Sequence, residues 1–307
     1  MQRYYLGVDI GGTAVKTGIV DESGRVISKS ETEIDQSCKT ESVMQTVIRS
    51  IKEIVEADIC EFAGIGVAAA GCIDTVRGKV ALNGGNVPGW SGTEVCKILK
   101  DEFELPVSLA NDGNCVALAE AWVGAARDCS DVVCVVLGTG LGGGIISGGR
   151  LIEGKCGFAG EIGHFMTHAG GNRCSCGKQG CYEAYAATSA LVREALKVNP
   201  GWSSGRLLFA DANRGDKSAL KVVDAWTDEV AFGIAGLVQI FNPEVVLIGG
   251  GVSVQEELVI NPVREKVLAL IMEDFTVGLQ IKRAELGNDA GMVGAVKHLM
   301  SELGNSF

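Results

Sequence analysis

Residues 131–152 read DVVCVVLGTGLGGGIISGGRLI. The β-branched run DVVCVVL at 131–137 has strand composition, GTGLGGG is a glycine turn, and IISGGRLI at 145–152 reads as a hairpin arm. The same order stands at the start of the chain. YYLGVDI at 4–10 is a strand, Gly11-Gly12-Thr13 a turn, VKTGIV at 15–20 a second strand, and DESG at 21–24 a turn before RVISKSE. Gly18-Ile19-Val20 corresponds to Gly144-Ile145-Ile146 at an offset of 126, and Gly24-Arg25-Val26-Ile27 to Gly149-Arg150-Leu151-Ile152 at 125. Short Gly/Ile strings can match by chance; the alternative is a duplicated α/β domain with a cleft between the copies, and that is the fold expected. Ligands in such folds sit at the carboxyl ends of strands.

Between and after these units the periods alternate. Val43, Val47, Ile51, Ile54 and Val55 form a helical stripe over 41–57, with Thr40 or Ser42 as its cap. GIGVAAA at 64–70 is a buried strand, 93–103 a helix, PVSLAND at 106–112 a short strand, and 113–126 an Ala-rich helix. The second half continues with a Gly/Cys/His-rich loop at 154–181 and helices at about 183–197 and 217–240. EVVLIGGGVS is then a strand entering a glycine turn, followed by helices at 262–273 and 290–303.

At about 150 residues per domain, 307 residues predict two domains. The boundaries expected are 1–120 for the N-terminal lobe, completed by a C-terminal helix at 290–307, and 121–289 for the C-terminal lobe with its loop at 154–183. A net charge of −11 repels phosphate backbones, so no nucleic-acid partner is expected. No apolar run reaches the roughly 18 residues of a membrane span. The opening MQRYYLGVDIGGT lacks the form of a secretory leader, and the eleven cysteines are odd in number, so a reducing cytoplasm is the expected setting. Eight of the cysteines (38, 60, 72, 96, 115, 129, 134 and 156) are scattered singly and read as small buried apolar side chains.

Four stretches carry chemistry. In Asp9-Ile10-Gly11-Gly12-Thr13, glycines after a strand open backbone N–H groups to a phosphate, and Asp9 could hold Mg²⁺ through water. A simple hairpin turn with a capping Asp reads the same way. Leu137 to Gly144 contains G-x-G-x-x-G at Gly138, Gly140 and Gly143. A strand follows where a dinucleotide fold needs a helix, and no Walker P-loop occurs anywhere. Two phosphate turns, one per repeat, suit a polyphosphate instead. Asn111-Asp112 ends a strand and opens a helix. Asp112 there is either a general base or an N-cap, which look identical in sequence. Lastly, Glu161-Ile162-Gly163-His164 precedes Cys174, Cys176 and Cys181 in CSCGKQGC. Three thiols and one imidazole close a tetrahedral Zn²⁺ shell with no open position, which makes the metal structural. His168 is the competing imidazole, and free or redox-paired thiols are the alternative to a metal.

DIGGT, LGTGLGGGI and GEIGHxxxxxxGxxCxCGxxGCxE, in this order, resemble the ROK family (repressor, open reading frame, kinase) of the actin-like ATPase superfamily, and within it the bacterial glucokinases. The resemblance spans the chain. It implies two actin-like (ribonuclease H-like) α/β lobes and transfer of phosphate from ATP to the 6-hydroxyl of a hexose, glucose first, as in sugar catabolism through glycolysis. It implies that Asp112 is the base, and that Gly71, Asn86, Asn111, Glu161, His164 and Glu183 bind the sugar. Asp9, Gly11, Gly12, Thr13, Lys16, Gly138, Thr139 and Gly140 would hold ATP phosphates and Mg²⁺. Gly249, Gly250 and Gly251 would lie near the adenosine, and His164, Cys174, Cys176 and Cys181 would bind zinc. A homo-oligomer, dimer or tetramer, is implied too. Ala69-Ala70-Gly71 lacks the proline common in the sugar loop, and Ala187 stands where a serine often follows, so N-acetylmannosamine or another hexose remains the alternative substrate. A non-catalytic sugar-sensing regulator is the other class. Family repressors carry a helix-turn-helix ahead of the core, whereas the first strand here begins by residue 4.

Overall fold

The computed structural model describes residues 2–34, 40–57, 61–82 and 90–304. Its contacts divide the chain into two compact units, Met1–Arg127 with Leu151–Gly160 and Asn288–Phe307, and Asp128–Arg150 with Glu161–Gly287.

The first unit is built on five strands, β1 (Tyr4–Ile10), β2 (Ala14–Asp21), β3 (Val26–Glu33), β4 (Phe62–Ala69) and, after a small hairpin of β5 (Cys72–Asp74) and β6 (Lys79–Leu82), β7 (Val107–Asn111). Their order is β3-β2-β1-β4-β7. β1 to β3 run antiparallel, while β4 and β7 join parallel to β1, so the carboxyl ends of β1, β4 and β7 share one edge. Helices α1 (Thr40–Ala57), α2 (Val95–Phe103) and α3 (Asp112–Trp122) and the terminal helix Ala290–Glu302 complete the unit. The predicted stripe of α1 is buried at Val43, Val47, Ile51 and Ile54 against Leu6, Val8 and Ile19 of the sheet. The side chains of Thr40 and Ser42, the expected caps, lie outside the described residues. The terminal helix packs on β1, β4, β7 and α3. It comes so close that a Cβ on Gly66 would meet the carbonyl oxygen of Ala295, and one on Gly294 that of Cys115. α3 stops at Trp122, short of the expected 126, because the Glu120 carboxylate accepts from the Ala125 N–H at 2.9 Å and turns the chain.

Residues 151–160, which the sequence assigns to the second half as the end of the hairpin arm and the start of the loop, fold in the first unit. Ala159 N–H closes on Glu153 at 3.0 Å. The Glu153 carboxylate meets Nε2 of buried His298 at 3.2 Å.

The second unit repeats the plan with β8 (Val132–Leu137), β9 (Leu141–Ser147), β10 (Arg150–Leu151), β11 (Val245–Gly249) and β12 (Gln280–Arg283), in the order β10-β9-β8-β11-β12. Both halves are thus mixed α/β with one sheet order, and Gly144-Ile145-Ile146 lies in the second strand as Gly18-Ile19-Val20 does. The glycine turn is narrower than expected. Only Gly138–Gly140 turn, and Gly142 to Gly144 are strand, where a Cβ on Gly143 would meet the Cys134 carbonyl oxygen. The expected helix 183–197 is two helices, α4 (Glu183–Ala186) and α5 (Thr188–Val198), broken at Ala187, which is extended at ψ 155°. Then follow α6 (Gly205–Asn213), which the sequence pattern misses, α7 (Lys217–Phe241) and α8 (Asn261–Leu270). α7 ends on Asn242, left-handed at φ 45°. Its buried face packs on β8 and on α4, α5, α6 and α8. Among the described residues no helix is long and apolar enough to cross a membrane. Of the single cysteines, 115 and 134 are buried, 72, 96, 129 and 156 are half-buried, and 38 and 60 lie outside the described residues.

Candidate functional site

In the first unit the residues of interest gather at the carboxyl ends of three parallel strands. Asp9, next to last in β1, stands opposite Lys16 of β2. Burial pushes its carboxyl above the ordinary range, against the pull of the Lys16 ammonium and with the repulsion of Glu31. A Cβ on Gly291 would sit 2.7 Å from this carboxylate, so the first turn of the terminal helix runs directly against it. The turn after Asp9 closes through Gly11 N–H to Ala14 O at 3.0 Å, leaving Gly12 and Thr13 exposed.

β4 and β7 bring Gly71 and Asn111 together, although 40 residues separate them. Gly71 adopts φ 103°, which turns its carbonyl to accept from Asn111 Nδ2 at 3.1 Å. The Asn111 Oδ1 accepts from Asn114 N–H at 3.2 Å, so Asn111 is the N-cap of α3. Asp112 is therefore the first helical residue rather than the cap, and its carboxylate accepts from Gly113 N–H at 2.9 Å. The alternative role that the sequence allowed for Asp112 belongs to its neighbour. Asn86 lies outside the described residues.

In the second unit Gly138 N–H bonds Gly140 O at 3.0 Å, which presents Thr139 at the surface. The break at Ala187 lets the start of α5 dock on this turn. Thr188 donates its N–H to Gly138 O at 2.9 Å and its hydroxyl to Leu137 O at 3.2 Å. Gly250, at φ 91°, abuts the same place, where a Cβ would meet the Leu137 carbonyl; Gly249 ends β11 and Gly251 opens a 3₁₀ turn. These turns open on a cavity of about 1070 Å³. Its walls include Gly138, Thr139, Ser189, Ser204, Arg206, Asn213, Gly251 and Gln255, with Val192, Phe209 and Val254 as apolar surface, and no carboxylate among them. One cation, several hydroxyls and amides, and a helix N-terminus suit an anionic ligand with an aromatic body. Ser204 and Arg206 went unnoticed in the sequence. The only local signal is Ser204 as the N-cap of α6, accepting from Leu207 N–H at 3.4 Å.

The Gly/Cys/His loop gathers four donors. Nδ1 of His164 lies 3.6 Å from Cys174 Sγ, Cys176 Sγ lies 3.6 Å from Cys181 Sγ, and all four ligand atoms fall within 4.8 Å of one another. Tetrahedral bonds of about 2.3 Å to sulfur set neighbouring sulfurs about 3.8 Å apart, so the two pairs at 3.6 Å already stand near the spacing of a Zn²⁺ shell. Burial lifts the Cys174 thiol to about 12 and also raises Cys181. Burial opposes ionisation of Cys176 as well, but the Lys178 N–H and the two neighbouring thiols outweigh it and draw that thiol down. Cys176 is thus the thiol that loses its proton first. His168 is outside the cluster. It stacks on Tyr185 at 3.9 Å, with Nε2 3.6 Å from Glu229.

Beside the cluster, Glu161 precedes the 3₁₀ turn Ile162–His164, its Oε2 4.0 Å from His164 Nε2. Glu183 opens α4 and accepts from Leu141 N–H at 3.1 Å and Ser175 Oγ at 2.6 Å. The structure thus assembles Asp9, Gly11–Thr13, Gly71, Asn111 and Asp112 in one unit. The other unit holds Gly138–Gly140, Gly249–Gly251, Glu161, His164, Glu183 and the cysteines.

The sequence model of the ROK family matches residues 5–301. The glucokinase of Thermotoga maritima is 34% identical over 313 residues, covering 97% of this chain and 98% of that one. A ROK family glucokinase from Streptomyces griseus, solved with glucose and AMPPNP, superposes with a TM-score of 0.83 at 34% identity over 95% of this chain and 97% of that one. The ROK hexokinase of Thermus thermophilus gives a TM-score of 0.85 at 31% identity over 100% of both chains.

Proposed function

Because the chain belongs to the ROK family, we propose that it is an ATP-dependent hexose kinase that transfers the γ-phosphoryl group to the 6-hydroxyl of glucose. The observation that carries this is Asp112 at the carboxyl end of β7, beside the Gly71–Asn111 bond, with Asn111 doing the capping. In the reaction, Asp112 takes the proton of the 6-hydroxyl as its oxygen attacks the γ-phosphorus. The bond from that phosphorus to the β–γ bridging oxygen breaks, and ADP leaves. Gly71, Asn86, Asn111, Glu161, His164 and Glu183 are the proposed sugar ligands, the two glutamates accepting from hydroxyls and His164 donating from Nε2.

Gly11, Gly12, Thr13, Lys16, Gly138, Thr139 and Gly140 are the proposed ligands of phosphate oxygens. The cavity beside Gly249, Gly250 and Gly251 takes the adenosine, its apolar walls and amides suiting a purine. Asp9 would hold Mg²⁺ through water, where the cation neutralises phosphate charge. His164, Cys174, Cys176 and Cys181 would hold a structural Zn²⁺ that binds the loop into one shape. Ligation through Nδ1 leaves the His164 Nε2–H as a donor. The proposed setting is the cytoplasm, with the chain as a homo-oligomer.

A coupled ADP-release assay over glucose, N-acetylmannosamine, allose and a β-glucoside tests the assignment. Glucose should turn over best. Inert glucose beside an active N-acetylhexosamine would transfer the assignment to amino sugars, and no turnover with any sugar would refute kinase activity.

A further inference from the structure

Glu183 sends its two carboxylate oxygens to two different loops. Oε2 accepts from the N–H of Leu141, the first residue after the Gly138–Gly140 turn, at 3.1 Å. A Cβ on Gly140 would lie 2.7 Å from that oxygen, so the turn rests on the carboxylate. Oε1 accepts from the hydroxyl of Ser175 at 2.6 Å. Ser175 stands between two cysteines of the four-donor cluster. Cys174 Sγ also reaches Oε1, at 3.4 Å, by donating its thiol proton.

We infer that Ser175 is a positioning residue for the hexose: its hydroxyl fixes the rotation of the Glu183 carboxylate, and through Leu141 it couples sugar binding to the phosphate turn. This rests on the assignment of Glu183 to the sugar. A glutamate carboxylate otherwise rotates broadly about its last torsion, and ordering it on binding costs entropy. A donor on each oxygen narrows that freedom in advance, and a bound sugar hydroxyl removes the rest. Each carboxylate oxygen accepts two hydrogen bonds, so Oε2 holds Leu141 and still has a lone pair for a sugar hydroxyl. Ser175 therefore orients Glu183 without competing for it. Because the same carboxylate holds Leu141, a sugar that orders Glu183 also orders the turn, and by linkage a nucleotide that orders the turn favours the sugar.

The test uses the full-length protein with its metal, as wild type, Ser175→Ala and Ser175→Thr. Metal content is measured first. Glucose affinity is then measured by calorimetry with and without a non-hydrolysable ATP analogue, and KM and kcat by ADP release. Ser175→Ala should keep its metal, weaken glucose about three- to tenfold, change kcat less than about twofold, and lose much of the analogue's effect on glucose affinity. Ser175→Thr should restore glucose affinity, because it restores the hydroxyl. Unchanged glucose affinity in Ser175→Ala, or a glucose affinity in the wild type that the analogue does not alter, would overturn the inference. Loss of metal in Ser175→Ala would overturn it too, since Ser175 would then serve the cluster and not Glu183. Wild type that binds no hexose would instead refute the proposed function. Wild-type binding with an unaffected Ser175→Ala refutes this inference alone.

Discussion

Asp112→Asn separates catalysis from helix capping. The cap of α3 is Asn111, so the substitution leaves the Asn111–Asn114 bond in place. The amide oxygen of an introduced Asn can still accept from Gly113 N–H, as the carboxylate does at 2.9 Å. Stability should therefore fall by less than about 1 kcal/mol, the usual cost of losing a cap, and Tm should move by no more than about 2–4 °C. A base removed without change of shape should cost about 10²- to 10⁴-fold in kcat, or about 3–5 kcal/mol of barrier. Glucose affinity should stay near that of wild type. The contrast is Asn111→Ala, which loses both the cap and the Gly71 bond and should lower Tm by more than Asp112→Asn does. ADP release with glucose, calorimetric binding and thermal melts read the three quantities. Turnover of Asp112→Asn within tenfold of wild type, in a folded protein that binds glucose, would refute the base assignment.

Elemental analysis should find about one zinc per chain, and Cys176→Ser should remove it, lowering activity without unfolding the whole chain, because the metal orders one loop. The Glu153 carboxyl is held below its usual value chiefly by the His298 hydrogen bond, so its stabilisation is complete above about pH 4.5 and declines as acid protonates it in the folded state. Acid melts of Glu153→Gln should therefore lose less stability below that pH than wild type. Asp9 is shifted the other way, mainly by burial, so its ionised form destabilises the fold above the ordinary carboxyl pKa of 3.8. Asp9→Asn should melt no lower than wild type at pH 7 while losing about tenfold or more in turnover. Gly66→Ala should cost about 1–3 kcal/mol or more in denaturant unfolding, because the new Cβ meets the backbone of Ala295 and neither strand nor helix can yield easily.

What the sequence determined by itself is whatever neighbouring residues decide. The stripe at Val43, Val47, Ile51 and Ile54 needs only the helical period to show which face is buried. The spacing of His164, Cys174, Cys176 and Cys181 brings four donors within one short loop. The repeated strand and glycine turn announced a duplicated α/β unit, since strand alternation and turn composition are local properties, and the shared sheet order came from the structure. Only the tertiary structure decided between residues that are locally equivalent. Asn111 and Asp112 are both good caps, and the Gly71 carbonyl, delivered by β4, selects Asn111 by bonding its amide. Ala187 is a strong helix former, yet the chain breaks there because Thr188 finds better partners in Leu137 and Gly138 of a distant turn. Ser204 and Arg206 of α6 are ordinary surface residues until folding sets them around the cavity with Thr139 and Gln255. Ser175 reads as a spacer between cysteines, and becomes a partner of Glu183 only once the loop is closed. In each case the deciding partner lies far along the chain or across a closed loop, where neither period nor local propensity carries information.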